Sequence, residues 1–484
     1  MNASPPAVAE EDRLKIVLGA LLAMLLAALD QTIVAPALPT IGSALGDVEW
    51  LSWVISAYFL TATAVTPLYG KLADIKGRRG VLFFAIGLFI FGSLLCALAP
   101  SMLLLVLGRA VQGLGGGGLI ALAQTIIADV VPPKERPKYM VYISAVWAFA
   151  SLAGPVVGGL LAEHVHWSMI FWINLPLATF AIFMTDRALK KLPQSLHDHK
   201  LDLAGAVLIM SATVCLMLAL TWGGTTYAWG SSTILALLIA AGVLFVVFTV
   251  WLGQVSEPLI PIRVLRNPVV SAATAAVFFS MMSFVGLSVY VPLYHVLVQG
   301  LTPGLAGVAL VAMMIGTVAG ANTTGRYMGK MVHYRRLAVG GGILSIISLG
   351  LLSLLAAGAN FWVIEALTFT AGAGVGTLFP VATIGVQNAV EQRDIGVATG
   401  TLSFMRSLGS VIGVAALGAV LLGYGVVEGI GEHAAAAGDN SNAGVAFRAL
   451  FALSAFGQVL ALCLIFMMKE LPLRGHNGPV GVTE

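Results

Sequence analysis

Apolar stretches of about 17–25 residues recur fourteen times along this chain, and each is long enough to cross a lipid bilayer as a helix. They run Ile16–Pro36, Leu51–Tyr69, Val81–Ala99, Met102–Ile127, Val141–Leu161, Ile170–Thr185, Leu203–Thr221, Thr233–Trp251, Val269–Val291, Leu305–Ala321, Leu337–Ala357, Phe361–Val381, Val397–Leu422 and Val445–Phe466. Backbone amides in hydrocarbon must be satisfied within the segment itself. Runs this long and continuously apolar therefore form helices rather than barrel strands. Only 10% of the residues are charged, against about 25% in soluble domains, which excludes a soluble globular protein. The sequence predicts an all-α polytopic membrane protein.

Orientation follows from Lys and Arg. With the N-terminus inside, 22 of the 25 basic residues fall in loops or tails on the cytoplasmic side. The other three, Arg109, Arg406 and Arg448, are in no outer loop. This satisfies the positive-inside rule and places both termini in the cytoplasm, with a bacterial inner membrane as the expected location. The net charge of +3 is this asymmetry and gives no sign of a nucleic-acid partner. No short apolar run ends in a small-residue cleavage site, so no signal peptide is expected. Cys96, Cys215 and Cys463 all fall within spans, and no disulfide is inferred.

The connections between spans are short and leave no room for a soluble catalytic domain. The two longest cytoplasmic connections follow spans 6 and 8 and bracket one hairpin. The chain thus divides into a six-span bundle over residues 1–188, a two-span insertion over 189–268, and a second six-span bundle over 269–484. "GKLADIKGRRG" after span 2 and "GRYMGKMVHYRR" after span 10 both open with Gly and a base and end in paired Arg. Gly329 stands in the second where Asp74 stands in the first. Paired halves with a site between them near the midplane are the organisation of many secondary transporters.

These motifs carry a resemblance. "GKLADIKGRRG" resembles the signature loop of the major facilitator superfamily, which implies a conformational latch at Gly70, Asp74, Gly77, Arg78 and Arg79. "LAGPVVGG" in span 5 resembles the motif that marks antiporters in that superfamily. Gly154, Gly158 and Gly159 permit a tight backbone contact there, beside Pro155. "LDQTIVAPALP", "GRAVQGLGGGGL" and "FWINLP" resemble further signatures of the fourteen-span drug/proton antiporter branch. This chain reads Trp167, Ser168, Met169 where that branch commonly has Trp-Arg-Trp. The resemblance implies a major facilitator fold of two six-helix bundles plus two extra transmembrane helices. It also implies a non-enzymatic, proton-coupled efflux antiporter for amphipathic hydrophobic compounds, cationic or neutral. Export of an endogenous lipid, siderophore or metabolite is the alternative. No cofactor is expected beyond the proton gradient. The expected partners are small amphipathic substrates, protons and membrane lipid, with a periplasmic adaptor left open.

Two motif matches are set aside. "GLGGGG" fits Gly-x-Gly-x-x-Gly, but no strand precedes it and it lies within span 4. The pairs His164/His166 and His197/His199 lack further ligands, so no metal site is expected.

Four ionisable groups lie inside spans: Asp30, Arg109, Glu365 and Arg406. A central Asp or Arg costs about 2.5–3.5 kcal/mol on insertion scales, so these groups must be paired or line a wet cavity. At about 1.5 Å per residue, Asp30 and Arg109 each lie some 10 Å from the outer end of their spans and share a level. Asp30 is then either half of a permanent ion pair or the proton carrier, with Arg109 as its partner. Burial disfavours a charged carboxylate and a nearby cation favours it, so alternating surroundings load and release a proton. Glu365, close to the outer end of its span, is expected at the membrane interface. Arg406 is a counter-charge, an anion contact or a gate latch. Gln31, Gln124, Trp147, Asn174, Phe279, Met282, Met313 and Gln387 are the candidate lining of a substrate cavity, which is characteristically apolar with few polar groups.

Overall fold

The computed structural model describes residues 10–47, 50–190, 201–224, 226–301, 303–331, 333–356, 358, 360–426 and 441–473. Fourteen long helices account for most of them: α1 (Glu10–Ile33), α2 (Leu51–Lys76), α3 (Arg78–Ala97), α4 (Met102–Val130), α5 (Arg136–His164), α6 (Asn174–Leu189), α7 (Leu203–Trp222), α8 (Ser232–Leu252), α9 (Pro268–Leu297), α10 (Pro303–Tyr327), α11 (Arg335–Leu355), α12 (Phe361–Ala389), α13 (Ile395–Gly423) and α14 (Ser441–Met467). Thirteen helical segments are long and apolar enough to cross a membrane. The other long helix is α2, whose apolar stretch continues into the charged turn Lys71–Lys76. Several helices outrun their apolar stretches because helical hydrogen bonding continues into the polar ends. Two details go beyond the sequence expectation: a short helix Leu38–Leu45 follows α1, and span 6 is broken. Its first turn, Met169–Trp172, stops before α6 starts at Asn174. Pro176 lacks an amide to continue the ladder, and proline is at home in a first helical turn.

The two six-helix sets repeat one packing scheme. In the first, α4 packs on α2 and α3, while α1 packs on α5 and α6; in the second, α12 packs on α10 and α11, while α9 packs on α13 and α14. Glycine makes the α4 and α12 contacts possible. A Cβ on Gly117 would run into the backbone of Ala62, and one on Gly320 into that of Ala373. Hydroxyls then cross the gap, with Thr61 donating to Ala110 O at 2.8 Å and Thr66 to Gly117 O at 2.9 Å. The hairpin α7–α8 lies on the seam where α2 of one set meets α13 of the other. Ile209, Met217 and Phe248 pack there with Phe404 and Leu408, and Trp53 meets Trp222 edge-on at 5.8 Å. Its outer face, with Ile239, Val243, Val246 and Val250, is exposed, as a lipid-facing surface must be.

Candidate functional site: a buried carboxylate and a latch between the halves

Asp30, near the end of α1, is fully buried and Arg109 of α4 is 1% exposed. Arg109 Nη1 donates to Asp30 Oδ2 at 2.6 Å. The other carboxylate oxygen accepts from Gln112 Nε2 at 2.8 Å and from Asn174 Nδ2 at 3.0 Å. Gln112 and Asn174 both also donate to Ser93 Oγ on α3. Arg109 is held on three further sides. Its Nε donates to Val54 O at 2.9 Å, its Nη1 to Gln112 Oε1 at 2.6 Å, and its guanidinium lies 4.4 Å over the Tyr58 ring. One carboxylate and one guanidinium are thus satisfied inside the first set by residues from five elements. Asn174, the first residue of α6, enters the cluster just after the break in span 6.

The α5 glycines lie directly against the next turn of α1. A Cβ on Gly154 would meet Thr32, one on Gly158 would meet Ile33 O, and Thr32 Oγ1 donates to Ala150 O at 2.7 Å. Gly159 differs from the expectation: a Cβ there would find only Pro36, at an ordinary 3.9 Å. Pro155 faces outward, exposed.

At the end of the bundle that carries most of the basic residues, the basic end, the two sets touch. Gly70 of α2 packs so closely on the start of α13 that a Cβ would lie 2.5 Å from Gly396 O. Asp74 then reaches the α13 N-terminus and accepts from Val397 N at 2.9 Å, where free amides and the helix dipole favour a negative charge. Arg78 joins Asp74 at 2.5 Å to Asp129 at 2.8 Å, and Gln392 of the second set donates to Asp129 at 2.9 Å. Gly77, with φ +86°, makes the turn from α2 to α3 that aims Arg78. Arg79 points away, to Asp186 of α6. The pseudo-symmetric contact is also present: Cβ atoms on Gly325 and Gly329 would press on Pro137 O and Lys134 O at 2.5 and 2.7 Å. Gly329 has no side chain to cap α5 as Asp74 caps α13, so the capping contact is one-sided. Arg263, just before α9, completes this end with a two-point bond to Asp394 at 3.0 and 2.9 Å.

Several proposed cavity residues are placed elsewhere. Asn174 belongs to the Asp30 cluster. Gln387 is 3% exposed and donates to Gln124 O and Thr399 Oγ1 in the layer above the latch, while accepting from Arg136 at 3.4 Å; Gln124 and Gln387 thus tie the halves together. Met313, 2% exposed, is packed inside the second set with Leu287 and Ile364. Glu365, expected at the membrane interface, is close to the end of α12 and 8% exposed, with His295 Nε2 of α9 3.0 Å from its Oε1. Gln31, Trp147, Phe279 and Met282 are half-buried. Arg406 lies 5.8 Å over the Trp147 ring, across the divide between the sets. His166 bonds Ser168, whereas His197 and His199 lie outside the described residues. Among the described residues no cluster of metal-binding side chains occurs, and Cys96, Cys215 and Cys463 are free. Gln112, Ser93, Asp129 and His295 were missed from sequence. Gln112 carried a usable signal, sitting one helical turn from Arg109 on the same face.

Residues 20–414 match the model of the Major Facilitator Superfamily. Among curated proteins, the chain is 35% identical over 406 residues to Multidrug resistance protein 3 of Bacillus subtilis, covering 84% of this chain and 79% of that one. It is 37% identical over 400 residues to Efflux pump dotC of Dothistroma septosporum, covering 82% and 69%. Among solved structures, a bacterial homologue of the iron transporter ferroportin in an outward-facing state aligns with a TM-score of 0.64 at 13% identity, covering 94% of this chain and 98% of that one. The proton:xylose symporter XylE aligns at 0.62 and 15%, covering 92% and 95%. Repeated six-helix packing, the latch sequence and these matches agree that the chain belongs to the Major Facilitator Superfamily, a multi-pass membrane transporter rather than an enzyme.

Proposed function

We propose that this protein is a fourteen-span, proton-coupled antiporter that exports amphipathic hydrophobic compounds across a bacterial inner membrane, with both termini in the cytoplasm. Residues 1–188 and 269–484 form the two moving bundles, and 189–268 is a hairpin insertion. The basic end is then cytoplasmic, and the closed latch corresponds to an outward-facing state. Efflux relatives support the direction of transport. The observation that carries proton coupling is the Asp30 cluster. Asp30 is the only carboxylate within the apolar spans of the first set, and it lies one turn from the α1–α5 glycine contact.

The cluster provides for both protonation states. When Asp30 is charged, Arg109, Gln112 and Asn174 stabilise it. When a proton arrives, Arg109 Nη1 is already 2.6 Å from Gln112 Oε1 and its Nε already on Val54 O. The guanidinium therefore keeps acceptors, and loading costs less than stranding a buried cation, about 3–5 kcal/mol. Movement of the two bundles against each other alternates access to the site.

Asp30→Asn tests this. The variant keeps size and hydrogen bonding but exchanges no proton. Substrate binding in detergent should survive, while proton release on adding substrate and pH-driven efflux in liposomes should vanish. A purely structural pair gives a poorly folded variant, partly restored by also neutralising Arg109. A well-folded Asp30→Asn protein that still pumps and releases protons removes Asp30 from the mechanism.

A further inference from the structure

We infer that the cargo site between the halves selects amphipathic anions, with Arg406 as the group that receives the negative charge. The inference rests on the efflux reading for its physiological meaning, but it concerns binding and stands on its own geometry.

Arg406 is eleven residues into α13 and Trp147 eleven residues into α5, about 17 Å from the basic ends at the helical rise. Both helices have 29 residues, so the pair meets a little below mid-height, above the Gly70–Gly396 contact and facing across the two sets. Trp147 offers its ring face 5.8 Å away, which attracts a cation without neutralising it. Among the described residues, the Arg406 guanidinium has no ion pair and donates no hydrogen bond to protein; only its backbone oxygen is used, by Ser410 Oγ at 2.9 Å. A guanidinium carries five donors in a fork that matches a carboxylate, sulfonate or phosphate.

The rest of the interior offers no competing acid. Among the described residues, the carboxylates within the apolar spans are Asp30 and, near the end of α12, Glu365, and each faces a partner within its own set, Arg109 and His295. The charged groups on helices against α13 are also committed or distant: Lys71, Asp74 and Lys76 in the last turns of α2, Arg109 of α4 on Asp30 and Asp129 of α4 on Arg78, His295 of α9 on Glu365, Glu365 itself on α12 and Arg448 of α14 on Leu354 O. A lipophilic cation entering between the halves meets a like charge in a low-dielectric space. An anion meets an unspent one beside Trp147. Among the described residues, no acid in this region is left over to pair with a cationic cargo, whereas an anionic one has Arg406.

The test uses two ions of nearly equal shape and opposite sign, tetraphenylborate and tetraphenylphosphonium. Each is titrated against the full chain in neutral-lipid nanodiscs, with empty nanodiscs subtracted. Wild type should bind the borate at least tenfold more tightly. Arg406→Gln should lose about tenfold or more for the borate and nothing for the phosphonium, and Arg406→Lys should retain part of the preference. Melting curves of both variants establish folding. Equal or tighter binding of the phosphonium by wild type overturns the inference, as does a folded Arg406→Gln protein with unchanged borate affinity. Weaker borate binding in discs containing phosphatidylglycerol, seen in wild type and absent in Arg406→Gln, supports the anion site and identifies a lipid headgroup as its occupant. pH-driven efflux is measured separately: its failure with anion binding intact defeats the transport reading and leaves this one standing.

Discussion

Replacing Asp74 should open the basic end, and the size of the effect can be worked out from the contacts. The carboxylate accepts one hydrogen bond across the halves, from Val397 N at 2.9 Å. A hydrogen bond to a charged group contributes about 1.5–3 kcal/mol, and a charge at a helix N-terminus about 0.3–1 kcal/mol. These overlap, so we take ~2–3 kcal/mol for the closed state, in which Asp74 is 9% exposed and little screened. Asp74→Ala removes all of it, shifting the open-to-closed ratio at the basic end by roughly 30- to 150-fold at 1.4 kcal/mol per tenfold. Asp74→Asn keeps an oxygen for Val397 N and loses the charge, so about half the energy and roughly five- to twelvefold should go. Arg78 keeps Asp129 in both variants, which protects the fold. Spin labels at exposed positions 138 and 330, one on each half, report the separation in a background lacking the free cysteines. The reasoning fails if Asp74→Ala is well folded and its distance distribution matches wild type. Equal shifts for Ala and Asn would show that the charge is irrelevant.

Other expectations follow from single contacts. Gly70→Ala should block closure, since its Cβ would lie 2.5 Å from Gly396 O; the same labels should report a longer distance. Gly158→Ala should impair transport and Gly159→Ala should not, because only the first Cβ collides with α1; equal effects in a transport assay refute that assignment. For His295 and Glu365, each single replacement by an apolar residue should lower thermal stability through a stranded polar partner, by about 1–3 kcal/mol. The double replacement should cost less than the sum, and an additive cycle removes the pairing. Asp202→Ala should loosen the hairpin, since Asp202 caps α7 at Gly205 N and also holds Trp251 and Leu259 N; the expected loss is about 1–2 kcal/mol, read by proteolysis between α8 and α9.

The helices were legible because lipid enforces one solution on any long apolar run. Depth arithmetic likewise anticipated the meeting of Asp30 and Arg109, because two charges at one level in hydrocarbon must find each other. The same arithmetic applied to His295, near the C-terminus of α9, and Glu365, near the N-terminus of α12, would have found their meeting at one level. What was not legible was the facing of uncharged side chains. Helices apolar all round carry no stripe to orient them, so Met313, Gln124 and Gln387 looked like cavity lining. Asn174 became a partner of Asp30, and Ser93 of Gln112 and Asn174, only through tertiary packing. The role of Gly159 failed for a related reason: spacing shows that a small residue is tolerated, and only the neighbouring helix shows whether it is required.

The glycine contacts of α4 and α12 also have a mechanical consequence. Where backbone rests on backbone, there are no intervening side chains to change rotamer, so the joint has little compliance. The crossing hydroxyls of Thr61 and Thr66 pin it further. Each half should therefore behave as a stiff plate, and deformation should concentrate where the plates meet, at α2–α13 and α5–α10. The α7–α8 hairpin lies across the first of those seams and, on the proposed alternation of the two bundles, should flex with it. It would act as a spring on one side of the machine, making the two edges of the opening unequal in stiffness.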